Sequence, residues 1–253
     1  MPEDVPVVIL AGGLGLRMRD YSNKIPKALV PIGRMAVIIH VMKIYKHYGH
    51  NNFIVLGGYM SDQIDRYLGS YNKSLRGRDR LDYRVVNTGL ETQTGGRIKK
   101  IEKEIDGEDF FATYCDGLSD VNIGGLYRFH KKMGKVATMT VVHPMSPFGI
   151  VGLRNGLIKS FKEKPVLPGL INGGFFVFNR RIFGYLEEKS VLEEEVMKEL
   201  TEDGELAGYE HKGFWTCMDT FKDVDRLNKL WTTGHMPNMD VKVGKIPWKV
   251  WSG

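Results

Sequence analysis

Cysteine is scarce. The chain of 253 residues has two, Cys115 and Cys217, and neither lies in a CxxC. That excludes a disulfide framework and a thioredoxin-like redox motif, and it fits a reducing cytoplasm. A continuous apolar run of the length that spans a bilayer is missing, so no membrane helix and no membrane partner are expected. The opening residues Met1-Pro2-Glu3-Asp4 lack the basic start and apolar stretch of a signal peptide. The seven histidines are spread out and lack cysteine companions at ligand spacing, which argues against zinc. No GxSxG nucleophile elbow occurs. Internal repeats, low-complexity stretches and flexible linkers are also lacking.

What is present is ordinary for a globular protein: 42% hydrophobic and 26% charged residues, enough apolar material for a sizeable core. Lys and Arg number 36 against 30 Asp and Glu, a net charge of +6. Such an excess favours anionic ligands such as phosphates. The basic residues are scattered, and the tightest groups, near 76–80 and 97–100, are short and mixed. They read as a solvated basic surface, and no nucleic-acid partner is expected.

Val5 to Leu10 is a β-branched run ending in Gly12-Gly13, a buried strand feeding a glycine turn. Helical spacing follows over 37–48, then a strand over 53–56 and Gly57-Gly58. Ile64, Tyr67 and Leu68 suggest a helix, 83–86 a strand, and Ile98, Ile101 and Ile105 a helix starting near Gly95-Gly96. A strand over 110–114 runs into Asp116-Gly117, before a helix around Leu126, Phe129 and Met133 and a strand over 137–142. This alternation predicts an α/β fold with a mostly parallel sheet. Beyond it come a hairpin over 148–161 turning at Asn155-Gly156, a strand over 175–178, an acidic helix over 193–200, and an amphipathic helix over 221–231. Thr220-x-x-Asp223 resembles a capping box for that last helix. The tail from Gly234 reads as loosely packed.

Five segments carry chemistry-bearing residues. The loop Leu10-Ala11-Gly12-Gly13-Leu14-Gly15-Leu16-Arg17 lets backbone N–H groups approach a phosphate chain. It is not a Rossmann GxGxxG, since Met18 takes the third glycine position, and no GK[ST] completes a P-loop. Arg17 either clamps phosphate oxygens or lies on the surface. Lys27, after Pro26, either points at the same phosphates or snorkels. Asp116 follows a buried strand. It is a natural Mg²⁺ ligand opposite a phosphate loop, or else part of an Asp-Gly turn. Asp219 is a second metal carboxylate or a helix-end residue. Glu163, Lys164, Asn172 and Gly173 offer contacts for sugar hydroxyls and a phosphate, or form a surface charge cluster and a plain turn.

Taken in order, Gly12-Gly13-x-Gly15-x-Arg17, Pro26-Lys27, Asp116-Gly117, Glu163-Lys164-Pro165, Asn172-Gly173-Gly174 and Asp219-Thr220 resemble the sugar-1-phosphate nucleotidyltransferases over nearly the whole chain. Thr94-Gly95-Gly96-Arg97-Ile98-Lys99, 171–177, Gly213-Phe214-Trp215 and Pro247-Trp248-Lys249 resemble above all the glucose-1-phosphate cytidylyltransferases among them.

The resemblance implies one Rossmann-like nucleotidyltransferase domain over 1–253. Its mostly parallel, mixed central sheet would be flanked by helices, with a small C-terminal β/α extension. Residues 1–142 would form the nucleotide-binding half and 143–253 the acceptor-binding and C-terminal part. The activity implied joins CTP to a phosphorylated small-molecule acceptor and releases pyrophosphate, with Mg²⁺ as cofactor; homo-oligomers occur in the family. A UTP- or dTTP-using sibling and a non-catalytic sensor of nucleotide sugars are the alternatives. Arg17, Lys27 and Asp116 take the catalytic roles. Leu10, Ala11, Gly12, Gly13, Gly15, Arg17, Lys27, Thr94, Gly95, Gly96, Arg97 and Asp116 would bind nucleotide. Glu163, Lys164, Asn172, Gly173 and Trp215 would bind the acceptor, and Asp116 and Asp219 the metal. The chain departs from the family pattern at Leu16, Ile25, Ala28, Met35-Ala36 and Pro147.

Overall fold

Val7, Val8, Ile9 and Leu10 are all buried, yet they serve two different cores. Val7 and Ile9 point to one face of a sheet and Val8 and Leu10 to the other, the period of two of an extended chain. Phe53 and Val55 against Ile54 and Leu56, and Phe175 and Val177 against Phe176 and Phe178, divide in the same way. Strands covered on both faces carry unbroken apolar runs, which is why these segments do not alternate in sequence.

The computed structural model of the chain describes residues 4–15, 18, 24–235 and 245–252. Its strands are β1 (Val7–Leu10), β2 (Pro31–Ile32), β3 (Met35–Ala36), β4 (Asn52–Gly57), β5 (Asp82–Asn87), β6 (Asp109–Tyr114), β7 (Gly117–Ser119), β8 (Ala137–Val142), β9 (Ile150–Arg154), β10 (Leu157–Lys162), β11 (Ile171–Asn179), β12 (Leu206–His211) and β13 (Trp215–Cys217). Seven of them form one sheet in the order β12-β8-β11-β6-β1-β4-β5. Every pairing in it is parallel except those of β11 with β6 and β8. This is the mixed, mostly parallel sheet expected of the fold.

The helices are α1 (Val37–His47), α2 (Ser61–Lys73), α3 (Thr94–Lys99), α4 (Ile123–Met133), α5 (Met197–Glu202) and α6 (Phe221–Thr233). Apolar residues of α1, α2, α4 and α6 pack on one face of the sheet; those of α3 and α5, with residues 182–196, pack on the other. The chain runs from β1 through β4 to β5 on one side, then returns to place β6 on β1's other side. A reversal of this kind opens a crevice at the carboxyl ends of the two central strands. The glycine loop leaves β1 there, and Asp116 leaves β6 there.

Several local expectations hold. Asn155 and Gly156, with φ of 51° and 75°, turn β9 into β10. Thr220 and Asp223 form a reciprocal capping box on α6. Others need correction. The acidic segment begins as a π-turn over Leu192–Val196 before α5, and β7, β12 and β13 had no clear signal. The described tail, 245–252, is not loose: Trp248 is fully buried among Phe214 and Trp231 and donates its indole N–H to His40 Nδ1 at 3.2 Å. Among the described residues no helix is long and apolar enough to cross a membrane.

Candidate active site

Lys27 heads a short 3₁₀ turn, Lys27–Leu29, after Pro26. The segment behind it is tied to α6. Asn228 accepts from the Gly33 amide at 2.8 Å and donates to the Pro31 carbonyl at 3.2 Å. The Trp231 ring fills the space a side chain at Gly33 would need. The same helix starts two residues after Asp219, behind its cap Thr220, so one rigid element anchors both the segment after Lys27 and the approach of Asp219.

Asp219 is brought to Asp116 by a two-stranded ribbon. β13 runs antiparallel to β7 with Cys217 opposite Gly117, and the Met218 amide donates to the Asp116 carbonyl at 3.1 Å. The Lys27 ammonium lies between the two carboxylates. It donates to Asp219 Oδ1 at 2.7 Å, from 192 positions away in sequence, and forms an ion pair with Asp116 Oδ2. Burial works to lower the Lys27 pKa, but Asp116 and the hydrogen bonds to both carboxylates hold it above the ordinary lysine value. Burial pushes the Asp116 carboxyl upward and the ammonium pulls against it.

These residues answer whether a divalent cation suits the site. Two carboxylate oxygens from separate loops converge on one cation, the Lys27 Nζ, which stands where positive charge is wanted. Two carboxylates are the protein share that Mg²⁺ commonly takes, with phosphate oxygens and water completing its shell.

The glycine loop is shaped from below. The Gly12 carbonyl accepts from the Tyr59 amide at 3.2 Å and from Arg97 at 3.0 Å, and a Cβ at Gly12 would lie 2.2 Å from the Arg97 guanidinium. Gly13 is exposed, and among the described residues nothing lies within 4 Å of a Cβ placed there. Leu10 and Ala11 are buried, and the Ala11 amide donates to Leu56 O at 3.0 Å, which leaves them as support for the loop. Gly15 has φ of 61° and accepts from the Met18 amide. Arg17 and Leu16 lie outside the described residues.

The Thr94-Gly95-Gly96-Arg97 segment is fixed by contacts within the protein. Added Cβ atoms at Gly95 and Gly96 would meet residues 188 and 190, one of them 2.1 Å from the Glu188 carbonyl, so both glycines are explained by close packing. Thr94 donates to Glu193 Oε2 at 2.6 Å and accepts from the Leu192 amide. Arg97, 4% exposed, donates to carbonyls of Gly12, Gly57, Gly89 and Leu90 and to Thr88 Oγ1. It joins the loops after β1, β4 and β5. Arg97 thereby supports the glycine loop from behind.

On the other side of Asp116, Asn172 Nδ2 donates to Tyr114 Oη at 3.4 Å, and Tyr114 donates to Glu193 Oε1 at 2.5 Å. The Tyr114 ring covers Gly174, whose φ is 75°. The Trp215 indole donates to the Gly173 carbonyl at 2.7 Å. Asn172, Gly173 and Trp215 are thus joined to one another and to Tyr114, two residues before Asp116. Glu163 and Lys164 do not join them through a described contact; they pair with each other at 3.6 Å beyond β10. Tyr114 and Glu193 were not singled out from sequence. The sequence places Tyr114 in a strand and Glu193 in an acidic helix, and only the fold brings them together.

The profile of the nucleotidyl transferase family matches residues 6–234. A Bacillus subtilis protein named probable glucose-1-phosphate cytidylyltransferase is 38% identical, the alignment covering 96% of this chain and 99% of that protein. The glucose-1-phosphate cytidylyltransferase of Salmonella typhimurium is 36% identical, with 96% and 98% covered. The crystal structure of HddC from Yersinia pseudotuberculosis superposes with a TM-score of 0.70 at 23% identity, over 89% of this chain and 98% of that one, which shows a shared fold.

Proposed function

The chain belongs to the nucleotidyl transferase family, and from that premise we propose that it is a cytidylyltransferase, joining CTP to a sugar 1-phosphate or related phosphorylated acceptor with release of pyrophosphate. The observation that carries the reading is the convergence of Lys27, Asp116 and Asp219 at the carboxyl end of β6, the strand paired with the β1 that leads into the glycine loop. The preference for cytidine rests on the names of the two curated relatives.

The acceptor phosphate is already an anion near neutral pH, so its attack on the α-phosphorus needs no general base. The barrier is the approach of two polyanions, which is lowered by positioning and by fixed positive charge. Gly12, Gly13 and Gly15 present backbone to the triphosphate. Lys27, with Arg17, neutralises charge that builds on the phosphates. Asn172, Gly173 and Trp215 would line the acceptor side, and Glu163 and Lys164, just beyond β10, would add polar contacts to the acceptor. Asp116 and Asp219 would hold Mg²⁺, which when bound supplies further charge neutralisation at the phosphate oxygens.

The test is pyrophosphate release with Mg²⁺ across CTP, UTP, dTTP and GTP, each paired with glucose 1-phosphate and a panel of other phosphorylated acceptors. CTP gives the highest kcat/KM if the reading holds. A comparable value for UTP or dTTP removes the cytidine assignment, and the absence of turnover with any pair removes the enzymatic one.

A further inference from the structure

The Lys27 ammonium bridges the two carboxylates through which a divalent cation would be held. A lysine meant only for phosphate oxygens has no need of both. Its side chain is largely shielded, 17% exposed, and Asp116 beside it is 15% exposed. Two carboxylates that converge on one point repel each other, and here a cation rather than a shared proton relieves that repulsion. With Lys27 there, the loop after β6 and the loop before α6 are held in register by the chain's own charge.

We propose that Lys27 and the divalent cation compete for Asp116 and Asp219, so that metal entry requires the ammonium to leave the carboxylates and frees it for phosphate oxygens. The proposal rests on the reading of these aspartates as metal ligands. Two consequences follow from linkage. The nucleotide-free protein binds a divalent cation more weakly than its two carboxylates alone would. Polyphosphate and cation also favour each other, because each is served by the same displacement of Lys27; couplings of this kind typically span about 5- to 150-fold in affinity. Lys27 is thereby a built-in safeguard: the cation is held strongly only when phosphate is present to receive the lysine.

Mn²⁺ binding to the nucleotide-free protein, followed by electron paramagnetic resonance, tests this without any turnover. Lys27→Gln binds Mn²⁺ at least about fivefold more tightly than the unmodified protein, and Asp219→Asn binds more weakly than both. Equal or weaker binding by Lys27→Gln, with Asp219→Asn impaired, overturns the competition and leaves the metal ligands standing. Absence of Mn²⁺ binding from all three proteins overturns both. A second measurement needs no variant: amine labelling of the unmodified protein, read by peptide mass spectrometry. Millimolar Mg²⁺ increases labelling at Lys27 relative to the other lysines if the ammonium is displaced. Unchanged labelling at Lys27 overturns the proposal, and this arm decides if Lys27→Gln does not fold.

Discussion

The Gly12 carbonyl and the Arg97 guanidinium are 85 positions apart in sequence and 3.0 Å apart in the fold, and the guanidinium occupies the space a side chain at position 12 would take. The first glycine of the loop is thus required by an arginine beneath it. The same arginine holds the Gly57 and Gly89 carbonyls, so the ends of three neighbouring parallel strands share one clamp.

Gly12→Ala is therefore expected to disturb the loop more than Gly13→Ala, whose added Cβ meets nothing within 4 Å among the described residues. Arg97→Lys loses the planar fork and its hydrogen bonds to the Gly89 and Leu90 carbonyls, while the Gly12 and Gly57 carbonyls keep donors from Tyr59 and Thr88. At one to three kcal/mol for a buried group left unsatisfied, it lowers stability by roughly 2–3 kcal/mol. Urea denaturation of Gly12→Ala, Gly13→Ala and Arg97→Lys checks both statements. A Gly13→Ala loss equal to that of Gly12→Ala contradicts the clamp.

Asp116→Asn is expected to lower kcat by about 10²-fold or more, the scale of a lost electrostatic contact at a reacting centre. Asp219→Asn acts in the same direction, and chelation of divalent cations abolishes turnover of the unmodified enzyme. Steady-state kinetics with and without EDTA measures this. Normal rates for either variant would exclude that carboxylate from the site.

Trp248 ties the described tail to the core. Trp248→Ala removes a fully buried ring and the indole hydrogen bond to His40, a loss of about 3–5 kcal/mol for a large aromatic. Calorimetry or chemical denaturation reports it. An unchanged midpoint would return the tail to the loose packing read from sequence.

His40 makes stability depend on pH. Burial pushes its pKa down to about 4, from the ordinary 6.5. Nε2 donates to the Ile32 carbonyl at 3.0 Å, and Nδ1 accepts from Trp248, so the ring is neutral. The unfolded chain takes up a proton below about 6.5 and the folded one only near 4, so stability is full above that range and falls as pH drops through it. The loss approaches about 3 kcal/mol at 1.36 kcal/mol per pKa unit. His40→Gln keeps a donor and an acceptor but cannot titrate, and it flattens the pH 4–6.5 slope of denaturation midpoints. An unchanged slope would shift the effect to other groups.

Sequence by itself determined the elements whose physics is local. Buried apolar runs marked β1, β4, β6 and β8. Asn155-Gly156 marked a turn because both residues tolerate positive φ, and Thr220 with Asp223 marked the start of α6 because their side chains satisfy its first amides. The motifs also located Lys27, Asp116 and Asp219 as residues of interest. Tertiary structure decided what those residues are to one another. Which strand lies beside β1 depends on chain reversal across the sheet, and the meeting of Asp116 with Asp219 depends on the register of β7 with β13. Neither leaves a local pattern. The part Arg97 plays in joining the ends of three strands likewise leaves no local pattern: an arginine's partners are set by the backbone carbonyls that folding gathers around it.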